Sequence, residues 1–314
     1  MKISNKISTV PSTLFGSVMG ITGLALAWRR AEEYFGWSTL PGDTFAVIAS
    51  ITLLVLIITY TLKVILFRSS YLEDLNHPVR GPFIAGLPLA ILLQVPFIKP
   101  FSEPVAHAVF AVGASFSIGF NLYLFARWYL RSYDIESYNA VWLIPGVGSF
   151  IVALIGAPLG YIELSWFFFS IGICFWVFLS AILMYRYIFC GPTPEILRPS
   201  FFIPIVPPAL MSMIYPLLDG GEISNFARII YYFALFLTLF NFSMIGIFLK
   251  LKFNLGWWAY SFPLDTITSA TLFYAKTTSN NFLMGVGQIL LVLTTVVISG
   301  LIVLTANTVV RGRL

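Results

Sequence analysis

Residues 166–183 read WFFFSIGICFWVFLSAIL, a run from Trp166 to Leu183 without one charged side chain. A stretch this long and apolar meets the requirement of about 20 residues for a helix crossing a bilayer. The rest of the chain is of the same kind. Of 314 residues, 59% are hydrophobic and only 10% are Asp, Glu, Lys or Arg. Mean hydropathy is +0.90. A soluble domain carries roughly 25% charged residues. A soluble fold of this size cannot hide so many apolar side chains or cover itself with so few charges. Composition therefore excludes a cytoplasmic enzyme, a nucleic-acid binder and a disordered chain. It predicts an all-α polytopic membrane protein whose first partner is the lipid bilayer. The pI near 9.2 does not imply a polyanionic partner, because basic residues of membrane proteins collect at one face as a topology signal.

Ten spans follow from the hydropathy pattern: 13–35, 42–66, 81–98, 104–131, 138–159, 162–188, 200–218, 225–251, 256–276 and 281–310. The loops between them are short, so residues 1–314 form one transmembrane domain. Lys2 and Lys6 precede an apolar stretch that is too long and too closely followed by further spans for a cleaved signal, and it reads as an uncleaved first helix. With the N-terminus cytoplasmic, 13 of the 18 basic residues fall on the cytoplasmic side and 5 on the other. The positive-inside rule then places both termini in the cytoplasm.

The spans alternate in kind. Even-numbered ones are continuous and end in Lys or Arg. Odd-numbered ones carry Pro or Gly near mid-span: Gly16 and Gly20, Gly86 and Pro88, Pro145 and Gly146, Pro204, and Pro263. The prolines step by 57, 59 and 59 residues from Pro88 through Pro145 and Pro204 to Pro263. That spacing predicts a helical hairpin copied five times, over about 11–68, 78–132, 138–190, 198–252 and 256–310. Each hairpin starts and ends on one side, so the copies are parallel. Five parallel copies predict a quasi-fivefold ring, with the Pro/Gly helices lining a central pore and the continuous helices outside. Backbone defects persist in hydrocarbon where protein or a water-filled cavity satisfies them. A half-helix starting after each break presents a positive dipole end, which suits anions.

The element Trp257-Trp258-Ala259-Tyr260-Ser261-Phe262-Pro263-Leu264-Asp265, together with Pro11-Ser12-Thr13-Leu14-Phe15-Gly16 and Leu143-Ile144-Pro145-Gly146-Val147-Gly148, resembles the tellurite-resistance/dicarboxylate transporter family over essentially the whole chain. The resemblance implies five hairpins around a pore in each subunit, assembly as trimers, and a location in the bacterial inner membrane. It also implies a pore phenylalanine acting as a gate, and Phe262 stands at that position. By number alone Phe262 is one of 30 phenylalanines; its place before Pro263 singles it out.

Asp265 is the one carboxylate placed deep in a span, and such residues are functional candidates by default. Two roles fit it: a proton carrier in a coupled transporter, or an acid stabilising the N-terminus of the half-helix after Pro263. No Lys or Arg stands at mid-depth in an odd span, so the pathway reads as nearly neutral. This favours a weakly selective channel for small monovalent inorganic anions. The alternative is a proton-coupled carrier or exporter of dicarboxylate, sulfite or tellurite. A cation exporter would call for more acids inside the bundle. Arg29, Arg30, Glu32 and Glu33 read as a solvated, paired helix end in preference to a vestibule filter, and His77 and His107 as interface residues. Cys174 and Cys190 lie at different depths and suggest neither a disulfide nor a metal site. No catalytic constellation, cofactor motif or metal-ligand spacing is present, which argues against an enzyme.

Overall fold

The structure is a computed structural model describing residues 7–311. Lys2, Lys6 and Arg313, which entered the charge argument, lie outside the described residues. The described residues form helices and turns, with no strand among them. The main elements are α1 (Phe15–Phe35), α2 (Leu40–Leu66), a short α3 (Arg68–Asn76), α4 (Arg80–Ile98, in three pieces), α5 (Glu103–Leu130), α6 (Ile144–Gly156), α7 (Ile162–Phe189), α8 (Val206–Leu218), α9 (Asn225–Ser243), α10 (Ser261–Thr277) and α11 (Asn281–Val310).

Sequence explains why α2, α5, α7, α9 and α11 are straight. Prolines in them are confined to the first two positions, where no donor is lost. Ser224 and Asn280 cap α9 and α11 by accepting from the amides of Ala227 (3.2 Å) and Leu283 (3.1 Å). At 27 residues, α2 is about 40 Å long, more than the hydrocarbon core requires. Gly36 ends α1 with φ 66°, and its amide returns to Glu32 O at 2.8 Å, the left-handed stop that glycine adopts without a steric cost.

Eight helical segments are long and apolar enough to cross a membrane. The two candidates that fall outside are α1, which ends in Arg29, Arg30, Glu32 and Glu33, and α10, which has 17 residues including Asp265 and five Ser or Thr before its last turn. The segments divide sharply by burial. In α2, α5, α7, α9 and α11 only 28–33% of the most apolar window is buried, against 72–94% for residues 80–98, 140–159 and 195–218. The straight helices therefore present apolar faces outward, as lipid contact requires.

Each buried helix packs on the straight helix that follows it: α1 on α2, α4 on α5, α6 on α7, α8 on α9, α10 on α11. Contacts among the buried helices run α1–α4–α6–α8–α10 and return from α10 to α1. Glycines permit the closest approaches. A Cβ at Gly20 would overlap Ser261, and one at Gly23 would stand 2.6 Å from Asp265 Oδ2. Gly23→Ala is therefore expected to force α1 and α10 apart and cost about 1–3 kcal/mol, read as a lowered thermal midpoint of the purified protein. An unchanged midpoint contradicts the seam.

The expected mid-span kinks are corrected. Pro145 and Pro207 occupy the second position of α6 and α8, and Pro263 the third of α10. Each follows a 3-10 stretch (Ala140–Leu143, Glu195–Ile205, Leu255–Tyr260) that delivers the chain into the α-helix. In α4 the breaks are bridged by i+3 bonds such as Ala85 N to Pro82 O (3.1 Å) and Gln94 N to Ile91 O (3.1 Å). Pro145, Pro207 and Pro263 thus start helices where an amide is dispensable, whereas Pro204 lies inside the 3-10 stretch Glu195–Ile205 and Pro216 inside α8. Asn139 and Asn254 hold two of the 3-10 entries by accepting from Val141 N (3.1 Å) and Gly256 N (2.8 Å).

Candidate functional site

A cavity of about 410 Å³ lies among the buried helices. All five contribute to its wall: α1 through Gly23 and Leu26, α4 through Leu93 and Val95, α6 through Ile151 and Ile155, α8 through Leu210 and Met213, and α10 through Phe262, Asp265, Thr266 and Ser269. A second recess of about 30 Å³ lies beyond Phe262, again bounded by all five buried helices. Its wall is apolar: Met19, Phe83, Val147, Val206 and Trp258 are among the side chains. Among the described residues, Phe262 alone borders both spaces, and its ring is buried (7% exposed). Thr266, one turn on, donates its hydroxyl to Phe262 O at 2.6 Å.

The cavity wall is charged at one end and mostly apolar elsewhere. Arg29, Arg30, Glu33 and Lys99 line the mouth. Arg29 pairs with Asp43 of α2 at 3.1 Å and lies over the Phe97 ring at 4.7 Å. Lys99 donates to Pro158 O at 3.1 Å. The paired helix end expected at Arg29–Glu33 is thus also vestibule wall, and only the deeper pathway is poor in charge. Asp265 is the exception at depth. It is 1% exposed, and neither carboxylate oxygen has a hydrogen-bond partner. It is the fifth residue of α10, and the first turn carries no acid. Asp265 accepts no backbone amide at the start of that half-helix.

The other expected pore residues separate. Gly16 and Pro263 border the small recess with Phe262. Gly20, Gly86, Pro88 and Pro145 stand outside both spaces; a Cβ on Gly86 would meet Phe15 of α1 at 3.0 Å. Gly146 faces away from the axis, where a Cβ would lie 2.9 Å from that of Phe175 on α7. Pro204 borders an outer crevice instead. Small residues serve both kinds of helix contact, and periodicity does not say which face they take.

One cluster escaped sequence reading. Lys63 at the end of α2 is 2% exposed, and its ammonium meets Asp74 of α3 at 2.6 Å. Asp74 also takes Arg80 at 2.8 Å and the Tyr60 hydroxyl at 3.1 Å. Lys63 further donates to Val10 O at 2.8 Å, and Ser12 to Arg80 O at 2.8 Å. The network ties the start of the chain and the first two hairpins together. Nearby, Arg80 binds the exposed Glu73 at 2.8 Å and holds that carboxyl below the usual carboxylate range.

Apolar helices facing outward around an internal cavity are the architecture of a membrane transport protein. The profile of the SLAC1 family, voltage-dependent anion channels, matches residues 9–306. The chain belongs to that family. The S-type anion channel SLAH2 of Arabidopsis thaliana is 28% identical over 277 residues, covering 84% of this chain and 52% of the relative. The guard cell S-type anion channel SLAC1 of the same plant is 23% identical over 278 residues, 85% of this chain and 50% of its own length. The tellurite resistance protein TehA homolog of Haemophilus influenzae is 25% identical over 307 residues, 97% of this chain and 92% of the relative. The chain thus spans about half the length of these plant relatives and nearly all of the bacterial one.

Proposed function

We propose that the chain is an anion channel in which ten helices cross the membrane as five hairpins in a quasi-fivefold ring, with Phe262 closing the axial pathway. The observation that carries this reading is the position of Phe262 between two spaces, each bounded by all five buried helices. Crossing the apolar recess requires an ion to shed water, and a ring that fills it raises that barrier. The cationic mouth of Arg29, Arg30 and Lys99 raises the local anion concentration, while the lack of a cation at depth gives weak selectivity among small monovalent anions. The basic-residue asymmetry supports cytoplasmic termini. A link to tellurite resistance follows the name of the bacterial relative, while residence in an inner membrane and assembly as trimers follow the resemblance drawn from the sequence. Electrical recording of the purified protein in planar bilayers tests the function. Current that reverses at the chloride or nitrate potential without a pH gradient supports a channel; flux only under a proton gradient overturns it.

A coupled carrier for dicarboxylate, sulfite or tellurite is favoured by one observation, the unpartnered Asp265 on the cavity wall. Under the channel reading, Asp265→Asn, close to isosteric, leaves anion current and a pH-independent reversal potential intact. Loss of a proton-dependent flux in that variant would establish the carrier.

A further inference from the structure

An outer crevice of about 540 Å³ runs between α7 and α9, floored by the segment from Gly191 to Pro204. Its far end is apolar, with Trp176 and Phe233 6.2 Å apart and Leu237 and Phe240 beside them. Its near end holds Arg186, Thr193, Arg198 and Asn241, and no Asp or Glu lines it.

Arg186 carries the argument. It is the fourth residue from the end of α7, as Lys63 is in α2 and Arg127 in α5, and all three are buried. Basic residues there complement the last carbonyls of a helix. Lys63 has Asp74 as its counter-charge. Arg127 likewise lacks an ion pair among the described residues and leaves Nε without a partner, but it donates to Leu75 O and the Tyr123 hydroxyl and borders none of the cavities described above. Arg186 donates to Gly191 O at 2.9 Å and Thr193 Oγ1 at 3.2 Å, has no ion pair among the described residues, and leaves Nε without a partner. Asn241 Oδ1, Ser180 Oγ and Tyr187 Oη are also buried without partners along the same crevice. A buried guanidinium without a counter-anion is costly, and here it opens on a cavity of one charge sign.

From Trp176 to Arg186 is ten residues along α7, about 15 Å of helix, or roughly half of the 30 Å hydrocarbon core. We propose that this crevice binds an anionic phospholipid of one leaflet, its phosphate on Arg186 and its acyl chain between Trp176 and Phe233. Hydroxyls of the headgroup then meet the free acceptors at Asn241 and Tyr187. The site lies off the axis and does not depend on the role of Phe262.

Purified protein equilibrated in micelles with equal phosphatidylglycerol and phosphatidylcholine, then released for native mass spectrometry, tests the site. The wild type is expected to retain phosphatidylglycerol about tenfold more than phosphatidylcholine, one decade being one good charge-assisted contact. Arg186→Gln brings the ratio near one, and Arg127→Gln leaves it unchanged. Leu237→Trp, which fills the crevice and keeps the charge, lowers retention of both lipids and carries the test if Arg186→Gln does not fold. A wild-type ratio near one, or a ratio unaffected by both crevice variants, overturns the proposal. So does displacement of the lipid by millimolar inorganic phosphate, which marks a soluble-anion site.

Discussion

Phe262→Ala is expected to raise anion conductance by about tenfold or more, equivalent to removing at least roughly 1.4 kcal/mol from the permeation barrier. Among the described residues, Phe262 is the one side chain that borders both the cavity of about 410 Å³ and the recess of about 30 Å³. Removing it joins the two and lets water follow the ion. Stability gives an independent arm. Phe→Ala in a packed core costs about 3–5 kcal/mol. Phe150 is such a residue: it is fully buried, and a Cβ on Gly172 would stand 2.7 Å from its ring. Phe262 already borders open space on two sides, so its truncation is expected to cost clearly less than Phe150→Ala in thermal unfolding. Equal losses, with current unchanged in folded protein, would make Phe262 ordinary packing.

The second large effect is structural. Asp74→Ala is expected to destabilise the protein by about 3–5 kcal/mol, because it leaves Lys63 as an uncompensated charge at 2% exposure and strips Arg80 of its inner partner. Lys63→Met in combination with Asp74→Leu removes both charges and is expected to recover part of that loss, since a buried pair replaced by apolar residues is often near neutral. The check is the thermal midpoint of each variant in one detergent. A midpoint for Asp74→Ala equal to that of the wild type would mean that water reaches Lys63 in the folded state.

The division of the chain into straight and interrupted segments was legible because it is written in composition along single helices. Runs such as Trp166 to Leu183 contain no breaker, and the proline steps of 57, 59 and 59 residues recur in register. What the prolines do was less legible. A proline near mid-span reads equally as a kink or as the first turn of a new helix, and the 3-10 entries that decide it depend on capping by Asn139 and Asn254. Phe262 stands out in the sequence because a breaker and a family-like element frame it. The mouth cations and the Lys63–Asp74–Arg80 network were missed for a common reason. Charges at span ends look solvated in one dimension, and only the packing of α3 under α2 and α4 buries Asp74 to 1% exposure. Gly146 and Pro204 were assigned to the axis because helical position repeats from copy to copy, whereas the face that a small residue presents is set by neighbouring helices.

The central claim, that one continuous axial pathway is closed only by Phe262, is tested most directly by accessibility from the vestibule side. Ser269→Cys places a thiol on the vestibule wall and Val147→Cys one beyond the ring, with Cys174 and Cys190 replaced by serine. A membrane-impermeant thiol reagent applied from the face bearing Arg29 is expected to label Ser269→Cys and not Val147→Cys while Phe262 is present, and to label both once Phe262→Ala is added. Labelling of Val147→Cys at the same rate with and without the phenylalanine, or in neither case while conductance rises, would contradict the account.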